Sequence, residues 1–275
     1  MRPIRTIAMF PTTLTLGNLV CGFFAIVVAA RVDKPDMATM DLADVNNVSL
    51  AAWLIFLAMV FDALDGYVAR LSGTASDFGA QLDSLCDLVT FGVAPGFLLV
   101  KMCPRFTHLD EFVYNDAIWV IAAAFAACAA LRLARFNVET SDEDEHLSFS
   151  GLPAPAAAAA IAAFAILFHT LRHKQTPLVY AEQIEWALQT ALPFFAVFVA
   201  LLMVSRIPYP HVVNQVFRGQ RTFGHVVGVV FALVAVMVIR GYSVPIICCG
   251  FALLGPARVC WAKLMGQRRR EDSLF

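Results

Sequence analysis

Four aspartates stand in two apolar stretches of the chain, at spacings that pair them. Asp62 and Asp65 lie three residues apart in the first stretch, and Asp83 and Asp87 lie four apart in the second. On a helix, both spacings place the two side chains on one face. Two neighbouring antiparallel helices can therefore direct all four carboxylates to one point.

Such a cluster needs a cation. An acid in a membrane helix costs about 3 kcal/mol by insertion scales, and four together also repel one another. Arg70 supplies one charge and cannot balance four. Divalent metal can, and an all-oxygen site suits Mg²⁺, Mn²⁺ or Ca²⁺ rather than zinc. Two ions bridged by shared carboxylates suit the transfer of a phosphoryl group. The rival interpretation is that the acids form a proton or metal-ion pathway in a transporter.

Small residues accompany the acids. Gly66 and Ala69 follow Asp62 at offsets of four and seven, and Gly79 precedes Asp83 by four. These positions leave a hollow in which a ligand can approach the backbone, and Arg70 could meet a phosphate there. The alternative for the glycines is helix–helix packing by small residues.

Composition places these elements in lipid. The chain has 275 residues, of which 60% are hydrophobic and 15% are charged. A soluble domain carries roughly 25% charged residues, so the solvent of this chain must be partly lipid. The net charge of -1 gives no basic excess, and no nucleic-acid partner is expected. The seven cysteines show neither zinc spacing nor a disulfide framework.

Apolar stretches of about 20 residues predict an all-α fold, a polytopic membrane bundle of about eight transmembrane helices. The first stretch is too long for the core of a cleavable signal and is expected to be a retained span. Residues 1–11 are predicted to be a cytoplasmic or interfacial segment, 12–265 the membrane domain and 266–275 a cytoplasmic tail. The predicted spans are Thr12–Val32, Leu50–Arg70, Phe78–Val100, Ala117–Arg135, Leu152–Leu171, Ile184–Ser205, Phe223–Ile239 and Val244–Leu264.

Basic residues predict the orientation. With the N-terminus inside, 13 lysines and arginines lie at cytoplasmic ends and 7 at the far side. An excess of basic residues marks the cytoplasmic side. We therefore expect both termini and the aspartates to lie at the cytoplasmic side, in a bacterial cytoplasmic membrane.

The spacing of the acids also carries a resemblance. The pattern Asp62-x2-Asp65-Gly66-x2-Ala69-Arg70-x8-Gly79-x3-Asp83-x3-Asp87 resembles the signature of the CDP-alcohol phosphatidyltransferase family at all eight defined positions. The resemblance implies two metal ions, Mg²⁺ or Mn²⁺. It implies that one ion is held by Asp62, Asp65 and Asp83, and the second by Asp62, Asp83 and Asp87.

The same resemblance assigns further roles. Asp87 would also take the proton from the attacking hydroxyl. The CDP moiety of the lipid would be bound by the motif's small residues, its arginine and a loop hydroxyl, which are Gly66, Ala69, Arg70, Ser76 and Gly79. The implied reaction moves a phosphatidyl group from CDP-diacylglycerol to an alcohol, and releases CMP.

Segments outside the motif point to the alcohol. The stretches around Asn18, Arg132, Gly151 and Ser205 resemble the membrane-embedded phosphatidylserine synthases within that family, which implies L-serine as the acceptor. Arg132 and Arg135 share a helix face and are acceptor-binding candidates, since arginine holds carboxylates and phosphates through paired donors. Their alternative is an ordinary cytoplasmic anchor.

Three questions stay open at this point. A sibling enzyme using glycerol 3-phosphate, inositol phosphate or choline fits the same motif. Asn18 is only a minor candidate, because Thr12 stands where many family members have asparagine. A homodimer is one alternative for the oligomeric state.

Overall fold

A computed structural model describes the chain over most of its length, and the described residues form helices and no strand. The predicted all-α class is confirmed. Lipid offers no hydrogen-bond partners to the backbone, so each N–H and C=O must be bonded within the protein. An α-helix makes these hydrogen bonds within a single segment. The described residues are 6–32, 40–72, 76–103, 111–139, 151–173, 180–207, 209 and 240–271.

The structure describes eight α-helices. A π-helical segment, Leu88–Val93, joins α3 to α4, and a 3₁₀ turn, Arg240–Tyr242, precedes α8. The helices are α1 (Thr6–Ala30), α2 (Leu42–Ser72), α3 (Asp77–Asp87), α4 (Ala94–Met102), α5 (Glu111–Glu139), α6 (Ala154–His173), α7 (Ala181–Val204) and α8 (Ser243–Glu271).

Six stretches within the described helices are long and apolar enough to cross a membrane, so the chain is a multi-pass membrane protein. They are Thr12–Ala30, Leu42–Ala69, Phe78–Met102, Asp116–Val138, Ala154–Arg172 and Gln183–Val204. They match the first six predicted spans, and the third runs through α3, the π segment and α4.

The predicted number of eight is approximate. The predicted span Phe223–Ile239 lies outside the described residues. The last predicted span, Val244–Leu264, falls in α8, whose apolar part is the shorter stretch Ser243–Val259. At the other end, α1 begins at Thr6, so the segment 1–11 is partly the start of the first membrane helix.

Helix α6 lies at the centre of the described bundle. In the membrane-spanning stretch of α6, 72% of the residues are buried, whereas the figure for α5 is 28%. It packs against α2 and α8, and residues 156–160 are all alanine. Small side chains allow neighbouring backbones to approach closely, which is how membrane helices gain contact without a hydrophobic driving force between them.

Helix α1 connects the parts of the bundle that carry the acids. It packs most extensively against α2, and it also contacts α3, the π segment and α4. At Gly22 the approach is so close that an added Cβ would lie 2.8 Å from the Cα of Thr90. The Thr90 hydroxyl donates a hydrogen bond to the backbone carbonyl of Asn18 at 3.3 Å. The first half of α1 is thereby held beside the end of α3.

Backbone hydrogen bonds join the residues just before α6 to the end of α7. The Gly151 N–H donates to the Ile207 carbonyl at 2.9 Å, and the Leu152 N–H donates to the Leu202 carbonyl at 3.0 Å. Gly151 has a φ of 93°, a conformation that favours glycine. An added Cβ there would lie 2.5 Å from the Met203 carbonyl oxygen, so both space and conformation require glycine.

Candidate metal and substrate site

Three carboxylates meet between the second half of α2 and α3. Asp62 comes from α2, and Asp83 and Asp87 come from α3. One oxygen of each lies within 4.8 Å of one oxygen of each of the others. We call these three residues the acidic cluster. Oxygens of three anions at this spacing can share one cation.

Asp65, the fourth predicted ligand, lies beside the acidic cluster rather than in it. It is 4% exposed and close enough to the three clustered carboxylates to interact with them electrostatically. The Thr15 hydroxyl on α1 forms a hydrogen bond to it. The structure therefore brings three of the four aspartates together and places the fourth next to them.

The donor set fits a hard divalent cation. The buried oxygens Asp65 Oδ2 and Asp83 Oδ1 have no hydrogen-bond partner within the described part of the chain. A buried acceptor without a donor costs about 1–3 kcal/mol. Such oxygens are the ligands that Mg²⁺, Mn²⁺ and Ca²⁺ prefer. A bound cation would satisfy both the charge and the vacant oxygen lone pairs.

Asn18 of α1 is a site residue that the sequence indicated only weakly. Its amide Nδ2 donates a hydrogen bond to Asp87 Oδ1 at 2.9 Å, and both side chains are buried. Asn18 lies three residues after Thr15, on the same helix face. The available signal was a pair of polar side chains on one face of an otherwise apolar span, which in a membrane helix needs a reason.

The residues predicted to bind the CDP moiety lie around the turn between α2 and α3. Ser76 caps α3, and its Oγ accepts a hydrogen bond from the Gly79 N–H at 3.1 Å. Among the described residues, that oxygen is the one atom that an added Cβ at Gly79 would meet within 4 Å, at 3.2 Å. Gly66 and Ala69 are half-buried on α2, while the side chain of Arg70 lies outside the described residues.

The end of α5 approaches the acidic cluster from another side. Asn137 Nδ2 donates to Ser84 Oγ at 2.9 Å, which joins α5 to α3. Arg132 interacts electrostatically with Asp87 without a direct ion pair, and its buried Nε has no hydrogen-bond partner among the described residues. Arg135, three residues further on, is half-buried. Of the two predicted arginines, Arg132 is therefore the one that the structure places near the acidic cluster.

Comparison with known proteins identifies the family pattern. The sequence model of the CDP-alcohol phosphatidyltransferase family, described as "CDP-alcohol phosphatidyltransferase", matches residues 8–204. That range contains the four aspartates, Asn18 and both arginines of α5.

Curated relatives match over most of their length. The chain is 35% identical to the CDP-diacylglycerol--serine O-phosphatidyltransferase of Methanocaldococcus jannaschii, over 79% of this chain and 81% of that protein. It is 30% identical to the protein of the same description from Helicobacter pylori, over 76% and 75% of the two chains. It is 29% identical to the archaetidylserine synthase of Methanothermobacter thermautotrophicus, over 77% and 73%.

Proposed function

This chain belongs to the CDP-alcohol phosphatidyltransferase family, and we propose that it transfers the phosphatidyl group of CDP-diacylglycerol to L-serine, giving phosphatidylserine and CMP. The observation that carries the proposal is the acidic cluster at the family motif, in a chain whose relatives include serine O-phosphatidyltransferases. The protein is an enzyme of phospholipid synthesis.

The proposed chemistry is an in-line displacement at phosphorus. The serine hydroxyl oxygen attacks the phosphorus that carries diacylglycerol, and a new O–P bond forms. The bond from that phosphorus to the oxygen of CMP breaks, and CMP leaves with the electron pair. Asp87 takes the hydroxyl proton as general base. This role requires its carboxylate to lie within hydrogen-bond distance of the serine hydroxyl.

We propose that two ions, Mg²⁺ or Mn²⁺, are held by the motif aspartates. Asp62, Asp65 and Asp83 would hold one, and Asp62, Asp83 and Asp87 the second. When bound, the ions supply charge neutralisation of the diphosphate and of the leaving group. Support comes from the clustered oxygens, and from the buried oxygens of Asp65 and Asp83 that find no donor among the described residues.

The CDP moiety is proposed to lie at the turn between α2 and α3. Arg70 would add a cation to the diphosphate, and Gly66 and Ala69 would let it approach the α2 backbone. The Ser76 hydroxyl uses an acceptor lone pair for the cap and keeps its O–H for a ligand. Gly79 leaves room for the nucleotide.

Arg132 is proposed to hold the serine carboxylate, with Arg135 beside it. A carboxylate in a poorly hydrated site needs a partner, and a charged hydrogen bond contributes about 1.5–3 kcal/mol. The buried Arg132 Nε lies near Asp87 and has no hydrogen-bond partner in the part of the chain that the structure describes, which supports this assignment. An acceptor lacking the carboxylate would leave that donor unsatisfied, so the site should discriminate against it.

We also propose that the motif end of the bundle faces the cytoplasm of a bacterial membrane. The support is the excess of basic residues at that side, 13 against 7. The boundaries of the membrane domain at residues 12 and 265 stay predictions. The assembly of two chains into a homodimer also stays a prediction.

A panel of acceptors tests the function directly. Purified protein with CDP-diacylglycerol and Mn²⁺ or Mg²⁺ is expected to release CMP with L-serine and only weakly with ethanolamine. Arg132→Ala should raise the KM for serine and narrow that gap, whereas Arg258→Ala, an exposed arginine on α8, should not. A better rate with glycerol 3-phosphate or inositol phosphate would leave the family reaction standing and refute serine. No CMP release with any alcohol would refute the enzyme assignment.

A further inference from the structure

Helix α1 presents one polar face to the motif aspartates. Thr15, Asn18 and Gly22 follow at offsets of three and four, which places them on the same side of the helix. Thr15 contacts Asp65, Asn18 contacts Asp87, and Gly22 allows the close approach of Thr90. Three successive turns of α1 therefore lie against the elements that carry the site.

The direction of the Asn18–Asp87 hydrogen bond follows from the chemistry of the two groups. An ionised carboxylate only accepts hydrogen bonds, and only the nitrogen of an amide donates them. The opposite amide orientation would place two acceptor oxygens against each other. Asn18 Nδ2 therefore faces Asp87 Oδ1, at 2.9 Å.

A donor in this position controls how the carboxylate is turned. The terminal torsion of an aspartate is broad, so packing alone leaves the carboxylate plane poorly defined. Asn18 is itself held, because Thr90 bonds its backbone carbonyl and Gly22 brings α1 against the π segment. The amide is thus a rigid donor at one oxygen of a residue that belongs to the acidic cluster.

Packing alone does not account for an asparagine at this position. The residue is fully buried in an apolar span, and its Oδ1 finds no donor within the described residues. A leucine of similar size would fill the space without burying an unsatisfied oxygen. The bond to Asp87 is the interaction that requires the amide.

We propose that Asn18 is a positioning residue of phosphatidyl transfer, whose amide holds the Asp87 carboxylate in the orientation that joins it to Asp62 and Asp83. The inference rests on the proposed function, since it deepens the role given there to Asp87. Asn18 acts through Asp87 and need not touch either substrate.

Two variants separate the donor from the shape. Asn18→Leu removes the amide and keeps the volume, and Asn18→Asp keeps the shape and exchanges the donor for an acceptor. Both should lower kcat about tenfold or more with the KM for CDP-diacylglycerol little changed, because removing a partner that orients a metal ligand typically costs 10–100-fold. Asn18→Leu should also weaken Mn²⁺ binding to substrate-free protein, measured by electron paramagnetic resonance.

Thr190→Val on α7 is the control. It also removes a hydroxyl bond to a backbone carbonyl, that of Trp186 at 2.9 Å, but it leaves Asn18 and its bonds intact, so kcat and Mn²⁺ affinity should stay near those of the wild type. Wild-type kcat in Asn18→Asp, or unchanged kcat and Mn²⁺ affinity in Asn18→Leu, would overturn the inference. Should Asn18→Leu not fold, Asn18→Asp decides alone.

The two proposals fail differently. If the wild type releases no CMP with any alcohol, the proposed function falls, and Mn²⁺ affinity still tests the role of Asn18. If the wild type turns over serine and the Asn18 variants equal it, only the positioning role falls.

Discussion

Two buried polar groupings lie far apart in the bundle, and they differ in charge balance. Near the start of α2, Arg172 of α6 donates from Nε to Glu185 Oε1 of α7 at 2.9 Å and from a terminal nitrogen to the Met40 carbonyl at 3.4 Å. Gln189 donates to the same Glu185 oxygen at 3.2 Å. We call Arg172, Glu185 and Gln189 the Arg172 cluster.

Within the described residues the acidic cluster has no direct ion pair, although Arg132 interacts with Asp87 electrostatically. It lies about 30 Å further along α2, since a helix rises 1.5 Å per residue between the Met40 end and Asp62. Its members and Asp65 are all carboxylates, and two of their buried oxygens lack donors among the described residues. The Arg172 cluster finds its partners within the chain, whereas the acidic cluster requires a cation or ligand from outside. We infer that the Arg172 cluster stabilises the bundle and that the acidic cluster takes part in the reaction.

Metal removal should give the largest difference between the two. In excess chelator, CMP release with serine should fall to about 1% or less, because the metal neutralises the charge on the transferring group. The melting temperature in detergent should change far less, since the Arg172 cluster needs no ion. Activity and melting of one chelated sample, with restoration by added Mn²⁺, measure both. Full turnover in chelator would remove the metal from the mechanism.

Neutralising single carboxylates should come next. Asp62→Asn, Asp83→Asn and Asp87→Asn should each lower kcat more than about a hundredfold, as expected for loss of a positioned catalytic group.

The matched control for this series is Asp77→Asn at the first residue of α3, outside the motif. It should retain activity. A loss as deep as that of Asp83→Asn would show that the site is wrongly placed.

Filling the open space beside α3 should have a smaller effect. Gly79→Leu should raise the KM for CDP-diacylglycerol about tenfold or more with little change in kcat, because it removes binding rather than chemistry. Gly250→Leu on α8 is the control, since no atom of the described residues lies within 4 Å of an added Cβ there, and at Gly79 the Ser76 Oγ alone does so. Equal KM values for CDP-diacylglycerol in the two variants would show that Gly79 serves helix packing rather than nucleotide binding.

Breaking the Arg172 cluster should change activity least. Glu185→Gln leaves Arg172 without its charged partner, so the free energy of unfolding should fall by about 3 kcal/mol. The kcat of folded enzyme should stay within about twofold, because distant sites act independently.

A double variant sharpens the same test. Arg172→Leu with Glu185→Leu should recover much of the stability, since a buried ion pair can be replaced by apolar residues. Thermal melting and activity per folded protein check both variants. A large fall in kcat with unchanged stability would place this cluster in the mechanism too.

The sequence by itself determined the membrane class, six of the spans and the family. Apolar length is enough for these, because the hydrocarbon thickness sets the length of a spanning helix and lipid requires the backbone to satisfy itself within it. The i, i+4 spacing of Asp83 and Asp87 likewise predicted that these two lie together, since a helix converts short separations into a shared face.

Only the tertiary structure decided what meets these faces. Asn18 lies 69 residues from Asp87 in the chain, and no local spacing relates them. Their contact depends on α1 packing against both α2 and the π segment, which Gly22 permits by the absence of a side chain. The hydrogen bond between Thr15 of α1 and Asp65 of α2 likewise joins residues that no local spacing relates. Periodicity acts within one helix, and the choice of neighbour depends on the shapes of several helices together.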